Sequence, residues 1–195
     1  AACVARARQR ALIVADLPFL SYALPERALA AAGRLIQEGG AHMVKLEGGA
    51  RVVETVALLS RHGVSVCAHL GLLPQSVHRS GGYRYQGRDH ASAEAIRHDA
   101  LALQDAGASL LVLECVPAAL ASEISRTLSI PVIGIGAGNG CDGQVLVLYD
   151  LLGLNRGKPP SFTKDFLAGR GGILEAVADY VRDVKSGTFP GPGQI

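Results

Sequence analysis

The chain has 195 residues, 49% of them apolar and 18% charged, a length that supports one globular domain with a sizeable core and argues against two. Its 19 basic residues nearly balance 17 acidic ones, giving a net charge of +2, and apart from ARARQR at 5–10 they are scattered, which excludes a nucleic-acid groove. Aromatics make up only 5% with no Trp, so stacking platforms for bases or sugars are poorly supplied and a small polar substrate fits better.

Cys3, Cys67, Cys115 and Cys141 form no CxxC pair, and two of them lie in apolar strand-like runs, which reads as reduced thiols in a cytoplasmic protein. No apolar stretch approaches the ~20 residues that span a bilayer, and the first residues lack the order of a signal peptide, so no membrane partner is expected. The chain does not begin with Met. AACVARARQR reads as the last turns of an amphipathic helix whose start is absent, and the expectation is a longer N-terminus.

In chain order, ALIVAD from Ala11 is the first β-type run. It ends on Asp16, where a parallel strand delivers a side chain to the mouth of its sheet, with a helix cap or turn as the alternative. PERALAAAGRLIQEGG follows as a helix, with Pro25 placed for the first turn and Gly39 for the stop. HMVKLE from His42 is the second strand, in which Lys45 and Glu47 point to one face while Val44 and Leu46 point to the other. A buried ion pair that only fixes packing would be an inefficient device, because removing ions from water is costly; a metal or an anionic substrate would offset that cost. Gly48 and Gly49 then let the backbone turn close to a ligand.

ARVVETVALLSRHG reads as a helix and VSVCAHL from Val64 as a strand that closes on His69, which position alone leaves open between a satisfied core residue and a catalytic one. The long segment GLLPQSVHRSGGYRYQGRDH, rich in Gly, Tyr and Arg, reads as a functional loop through which His78 could reach a site. The other histidines, His42, His62, His90 and His98, have no metal-ligand spacing and read as surface residues.

ASAEAIRHDALALQDAGA is the next helix, and the strand SLLVLECV from Ser109 sets Glu114 among Leu, Val and Cys, unpaired, a setting that suits a general base. PAALASEISRTLS is a helix opened at Pro117. IPVIGIGAG from Ile130 and QVLVLYD from Gln144 are the fifth and sixth strands. The glycine pattern between them is GxGxG, a weak dinucleotide signal. ILEAVADYVRDVKS forms a last helix, and residues 187–195 read as a mobile tail.

Runs this continuously apolar, alternating with helices, give an α/β fold with a parallel sheet. Polar residues at the strand C-termini match the active face of a (β/α)8 TIM barrel, although a doubly wound sheet shares the alternation. Residues 1–195 then form a single barrel domain, incomplete at its N-terminus, with about six of the eight units present. Asp16 and Glu47 with Lys45 between them, and a separate base at Glu114, suit a loosely held Mg2+ that leaves room for waters and a chelating 2-oxo acid. Glu114 could take the proton from the carbon beside the keto group.

The segments ADLPF, MVKLEGG, VCAHLGLLPQS, GGYRYQGR, LLVLECVP, IPVIGIGAG and DGQVLV, in this order and with these gaps, resemble the ketopantoate hydroxymethyltransferase family over essentially the whole chain. The resemblance implies a barrel of the phosphoenolpyruvate mutase type in a homo-oligomer, commonly a decamer. It further implies transfer of a hydroxymethyl group from 5,10-methylenetetrahydrofolate to 3-methyl-2-oxobutanoate through a Mg-stabilised enolate, giving 2-dehydropantoate for pantothenate and coenzyme A synthesis. By motif, Asp16 and Glu47 carry over as metal residues, Glu47 through a water, with Asp16 and Lys45 as substrate contacts, Glu114 as proton acceptor and His69 as a catalytic neighbour.

Such enzymes usually begin with about two further βα units carrying GDSLG, whose Asp ligates the metal and whose Ser touches substrate. That segment is not in this sequence. Were the chain to start at Ala1, low stability and little activity would be expected. The competing explanations are a longer native protein, a truncated inactive relative that only binds or assembles, and a second chain supplying the rest. The alternative enzyme is a Mg2+-dependent 2-oxo acid carbon–carbon lyase or mutase of the same fold, distinguished by its independence from a one-carbon donor.

Overall fold

The structure is a computed structural model and describes residues 1–79, 82–155 and 157–194. Ser80 and Gly81 of the long loop, Arg156, and Ile195 of the predicted tail lie outside the described residues.

Apolar runs without alternating polarity need cover on both faces, and the strands obtain it in one parallel sheet. β1 (Val14–Asp16), β2 (Met43–Glu47), β3 (Val66–Gly71), β4 (Leu110–Glu114), β5 (Val132–Ile135) and β6 (Gly143–Gln144) lie side by side in sequence order. α1 (Ala2–Ala7) precedes them. Between β1 and β5 run α2 (Pro25–Gln37), α3 (Val53–Arg61), α4 (His90–Asp105) and α5 (Ala118–Thr127), while α6 (Leu148–Leu151) and α7 (Ile173–Lys185) follow β6.

A doubly wound sheet reverses its strand order and carries helices on both faces. Here the order never reverses, and α2 to α5 bury Ala28, Val56, Leu103 and Ile124 in one core with Val44, Leu46, Val66, Leu111, Leu113 and Val132. The opposite face carries a second apolar layer, Met43, Cys67, Val112 and Ile135, with Phe162 packed against it. Helices outside and a side-chain layer inside make this sheet six strands of a TIM barrel. β1 and β6 each pair with one neighbour among the described residues.

The sixth strand is shorter than its sequence suggests. QVLVLYD reads as a strand, yet β6 ends at Gln144 and the chain turns into α6 at Leu148. The apolar content of Val147, Leu148 and Tyr149 is not matched by burial, since these side chains are 52–64% exposed. With no seventh strand beside β6 among the described residues, the backbone finds its partners locally, as in Leu151 N–H to Val147 O.

Beyond β2, the chain turns through Gly49 into the 3-10 turn Ala50–Val52. A Cβ at Gly49 would lie 1.6 Å from the Asp99 carboxylate of α4, which accepts the Ala50 N–H at 3.0 Å. That close approach requires glycine and caps the turn. At the far end, Phe166, Tyr180 and Phe189 meet edge to face with ring centroids 5.3–5.7 Å apart, and the Tyr180 hydroxyl donates to Gln144 O at 2.9 Å, fixing α7 against β6.

Candidate active site

Parallel register decides which side chains meet. It sets Asp16 beside Lys45, Glu47 beside His69 and Gly71 beside Glu114. Because alternate residues face the barrel interior, Asp16, Lys45, Glu47, His69 and Glu114 all turn inward at the strand C-termini. Together they line one cavity of about 530 Å3. Its floor and walls are apolar, including Val14, Leu110, Val112 and Ile133.

Lys45 Nζ lies 3.0 Å from Asp16 Oδ2 and 3.4 Å from His69 Nδ1. An ammonium can only donate, so a hydrogen bond between the two takes Nδ1 as its acceptor, and the tautomer that matches it carries the His69 proton on Nε2. Nε2 faces Glu114 Oε2 at 3.2 Å, but without hydrogen-bond geometry, and it is the one buried side-chain polar atom without a hydrogen-bond partner among the described residues. Buried polar groups are normally satisfied, so a substrate oxygen is a fitting partner for this N–H. Glu114 thus has an imidazole as its neighbour within the apolar strand's inner face. His69 reaches it because the β3–β4 register brings the two side chains across the interior.

Glu47 and His69 are each 2% exposed, whereas the Asp16 side chain is 54% exposed at the mouth. Three carboxylates and one ammonium line the cavity, so it is suited to a cation as well as to a polar ligand. Glu47 Oε2 accepts the Gln75 N–H at 3.0 Å and Glu47 Oε1 lies 3.8 Å from His69 Nδ1.

A second cavity of about 580 Å3 shares Pro74, Glu114, Ile135 and Val147 with the first and adds Tyr83, Tyr85 and Phe162 as flat walls, with Lys158 and Asp150 at its edge. Arg88 stands 5.2 Å over the Tyr85 ring. These residues come from the long loop and from PSFTKDF, so the loop does border the site. His78 is exposed and lines neither cavity, and His42, His62, His90 and His98 are exposed as well. A wider opening of about 990 Å3 along α1 and residues 8–14 holds no carboxylate or imidazole and lies apart from this chemistry.

Three contributors escape a sequence reading. Gln75 sits in the quoted GLLPQS segment, directly after β3, and only that position hinted at it. Cys115 adopts φ +48, a left-handed conformation unusual for its type, held by its N–H to Ile135 O and its carbonyl to Gln86 N–H, both 2.9 Å. It reverses the chain so that Glu114 faces inward while Val116 enters the outer core. Tyr22 joins through its hydroxyl, and burial first, then the charge of Glu47, raises its pKa above the usual phenol range.

The thiols show no sign of a nucleophile. Burial pushes the pKa values of Cys67 and Cys115 up to about 12 and that of Cys141 to about 11 from an ordinary 9.0. Titration with a thiol reagent at neutral pH should therefore modify one group rapidly, the exposed Cys3, and all four only after unfolding. The unfolded chain ionises its thiols from about pH 9, whereas the folded chain retains their protons. Their stabilising contribution is present below pH 9 and is lost as pH rises toward 12, seen as a falling unfolding midpoint.

The sequence model of the family described as ketopantoate hydroxymethyltransferase matches residues 1–192. The 3-methyl-2-oxobutanoate hydroxymethyltransferase of Halorhodospira halophila is 58% identical over 190 residues, which cover 97% of this chain and 69% of that protein. Those of Nitrosococcus oceani and Alkalilimnicola ehrlichii are 57% and 58% identical over 96% of this chain, covering 71% and 68% of their own lengths. No helix among the described residues is long and apolar enough to cross a membrane.

Proposed function

Because this chain belongs to the ketopantoate hydroxymethyltransferase family, as the match over residues 1–192 shows, we propose that its five-residue cavity transfers a hydroxymethyl group to 3-methyl-2-oxobutanoate. The donor in this reading is 5,10-methylenetetrahydrofolate and the product 2-dehydropantoate. The observation that carries it is the convergence of Asp16, Lys45, Glu47, His69 and Glu114 on one cavity. The C3–H bond of the oxo acid breaks and a bond from C3 to the one-carbon unit forms. Both bonds from the donor's methylene carbon to nitrogen break, water supplies the hydroxyl oxygen, and tetrahydrofolate leaves with both nitrogens protonated.

The donor set fits a magnesium ion. All three carboxylates are hard oxygen donors and line one cavity. That suits an ion bound through one or two carboxylates with waters and substrate completing its shell. Asp16 would hold it directly and Glu47 through a water. Bound there, the ion would withdraw electron density from the oxo acid's oxygens and so acidify C3.

The chain's own residues do the rest. Lys45 offsets the substrate's carboxylate charge. Glu114 accepts the C3 proton from a position the two cavities share, and the His69 N–H beside it donates to a substrate oxygen. The apolar wall of the first cavity shelters the methyl groups, and Tyr83, Tyr85 and Phe162 supply flat surfaces for a pterin in the second. We extend the reading to a cytoplasmic homo-oligomer, supported by four free thiols and by exposed Leu174 and Val181, which share one face of α7.

The test is label transfer. With carbon-13 in the methylene group of the donor, carbon-13 NMR should show the label as a hydroxymethyl carbon bonded to C3 of the oxo acid. Retention of the label in the donor while the oxo acid is cleaved would identify a lyase instead.

A further inference from the structure

Gln75 is the most fully engaged side chain at this cavity for which the reaction chemistry supplies no role. It lies in the 3-10 turn Pro74–Ser76, immediately beyond β3. Its amide nitrogen donates to Leu17 O at 3.0 Å, its amide oxygen accepts the Tyr22 hydroxyl at 2.8 Å, and its backbone N–H donates to Glu47 Oε2 at 3.0 Å. One residue thus joins the segment after β1, the end of β2 and the loop after β3.

The choice of partners separates this from an ordinary loop staple. Leu17 directly follows Asp16, and its own N–H donates to Lys45 O at 2.8 Å. With Gln75 on its carbonyl, Leu17 is fixed from both sides, and the backbone that carries Asp16 is fixed with it. The same turn directs one oxygen of Glu47 toward the Gln75 N–H and leaves the other on the His69 side of the cavity. The backbone beneath Asp16 and one carboxylate oxygen of Glu47 are therefore both held by one residue, which is not itself a metal donor of choice.

We propose that Gln75, braced by Tyr22, is a positioning residue that sets the separation and aim of Asp16 and Glu47 for a divalent cation. The inference rests on the magnesium reading of the site. Outer-shell partners of this kind change metal affinity by about 10–100-fold when removed, which sets the scale of the expected effect.

The test compares the unaltered protein with Gln75→Met, which keeps length and volume but loses the amide, and with Tyr22→Phe, which removes one hydroxyl. Free Mn2+ is followed by electron paramagnetic resonance with no substrate present, and circular dichroism establishes the folded population at the same temperature. Gln75→Met should weaken Mn2+ binding about 10-fold or more and Tyr22→Phe by a smaller factor, both while folded. Proton exchange at C3 of the oxo acid should return toward the unaltered rate when Mn2+ is raised to saturation. If the unaltered protein binds Mn2+ and folded Gln75→Met binds it equally well, the positioning role is overturned and the functional reading stands. Should Gln75→Met not fold, unchanged binding by folded Tyr22→Phe overturns it. If the unaltered protein binds no Mn2+, the magnesium reading fails and the inference fails with it.

Discussion

Replacing Glu114 with Gln should slow removal of the C3 proton by about 10²–10⁴-fold while leaving the protein folded. The amide keeps the shape of the carboxylate and its contact with His69, whose Nε2 lies 3.2 Å away in the native pair, so packing around β4 has no reason to change. What it cannot do is accept a proton. The effect should fall on the maximal rate rather than on metal affinity, because Glu114 stands across the interior from Asp16 and Lys45 on β1 and β2. Loss of the C3 proton signal in deuterated water measures it, and the same sample gives the folded fraction by its unfolding transition.

The largest effect on stability is expected from Gly71→Ala. Gly71 has φ +91, and a Cβ there would lie 2.1 Å from the Glu114 carbonyl oxygen and 2.9 Å from Val116 Cγ1. The neighbour in the way is backbone, held by the Leu72 N–H at 2.8 Å, and cannot rotate aside. A conformational penalty and a strand displacement then add at one position, and a loss above about 4 kcal/mol is expected, a large share of the roughly 5–15 kcal/mol that holds a domain together. Gly33→Ala in α2 is the contrast: no atom lies within 4 Å of its Cβ position, and alanine should stabilise the helix by up to about 1 kcal/mol. Urea unfolding of the two variants measures both signs. Any folded Gly71→Ala protein should also lose proton exchange, since displacing β4 at Glu114 separates it from His69.

How far this site could be read in advance depends on which interactions are local. Asp16, Lys45, Glu47, His69 and Glu114 are legible because strand alternation and strand ends are periodic properties of the sequence, and charge inside an apolar run is conspicuous. Their pairing is less so. That His69 meets Glu114 follows from the β3–β4 register, which depends on a glycine fitting beneath a carbonyl. Gln75 is illegible for a stronger reason, since its three partners lie 28, 53 and 58 positions away and nothing in a polar residue after a strand announces them. Cys115 belongs to the same class, as its left-handed φ is imposed by two tertiary hydrogen bonds rather than by residue type. The sixth strand fails in the opposite sense, because Val147, Leu148 and Tyr149 have strand-like composition but stand more than half exposed beyond the end of β6.

In the proposed function these five side chains form a proton-abstracting site for a 2-oxo acid. It is tested most directly by proton NMR of 3-methyl-2-oxobutanoate in deuterated water, with the protein, with and without Mg2+, and with no one-carbon donor. The expected result is loss of the C3 proton signal that requires both Mg2+ and Glu114. A folded protein that leaves the C3 signal intact, or a Glu114→Gln variant that exchanges it as fast as the unaltered chain, would contradict it.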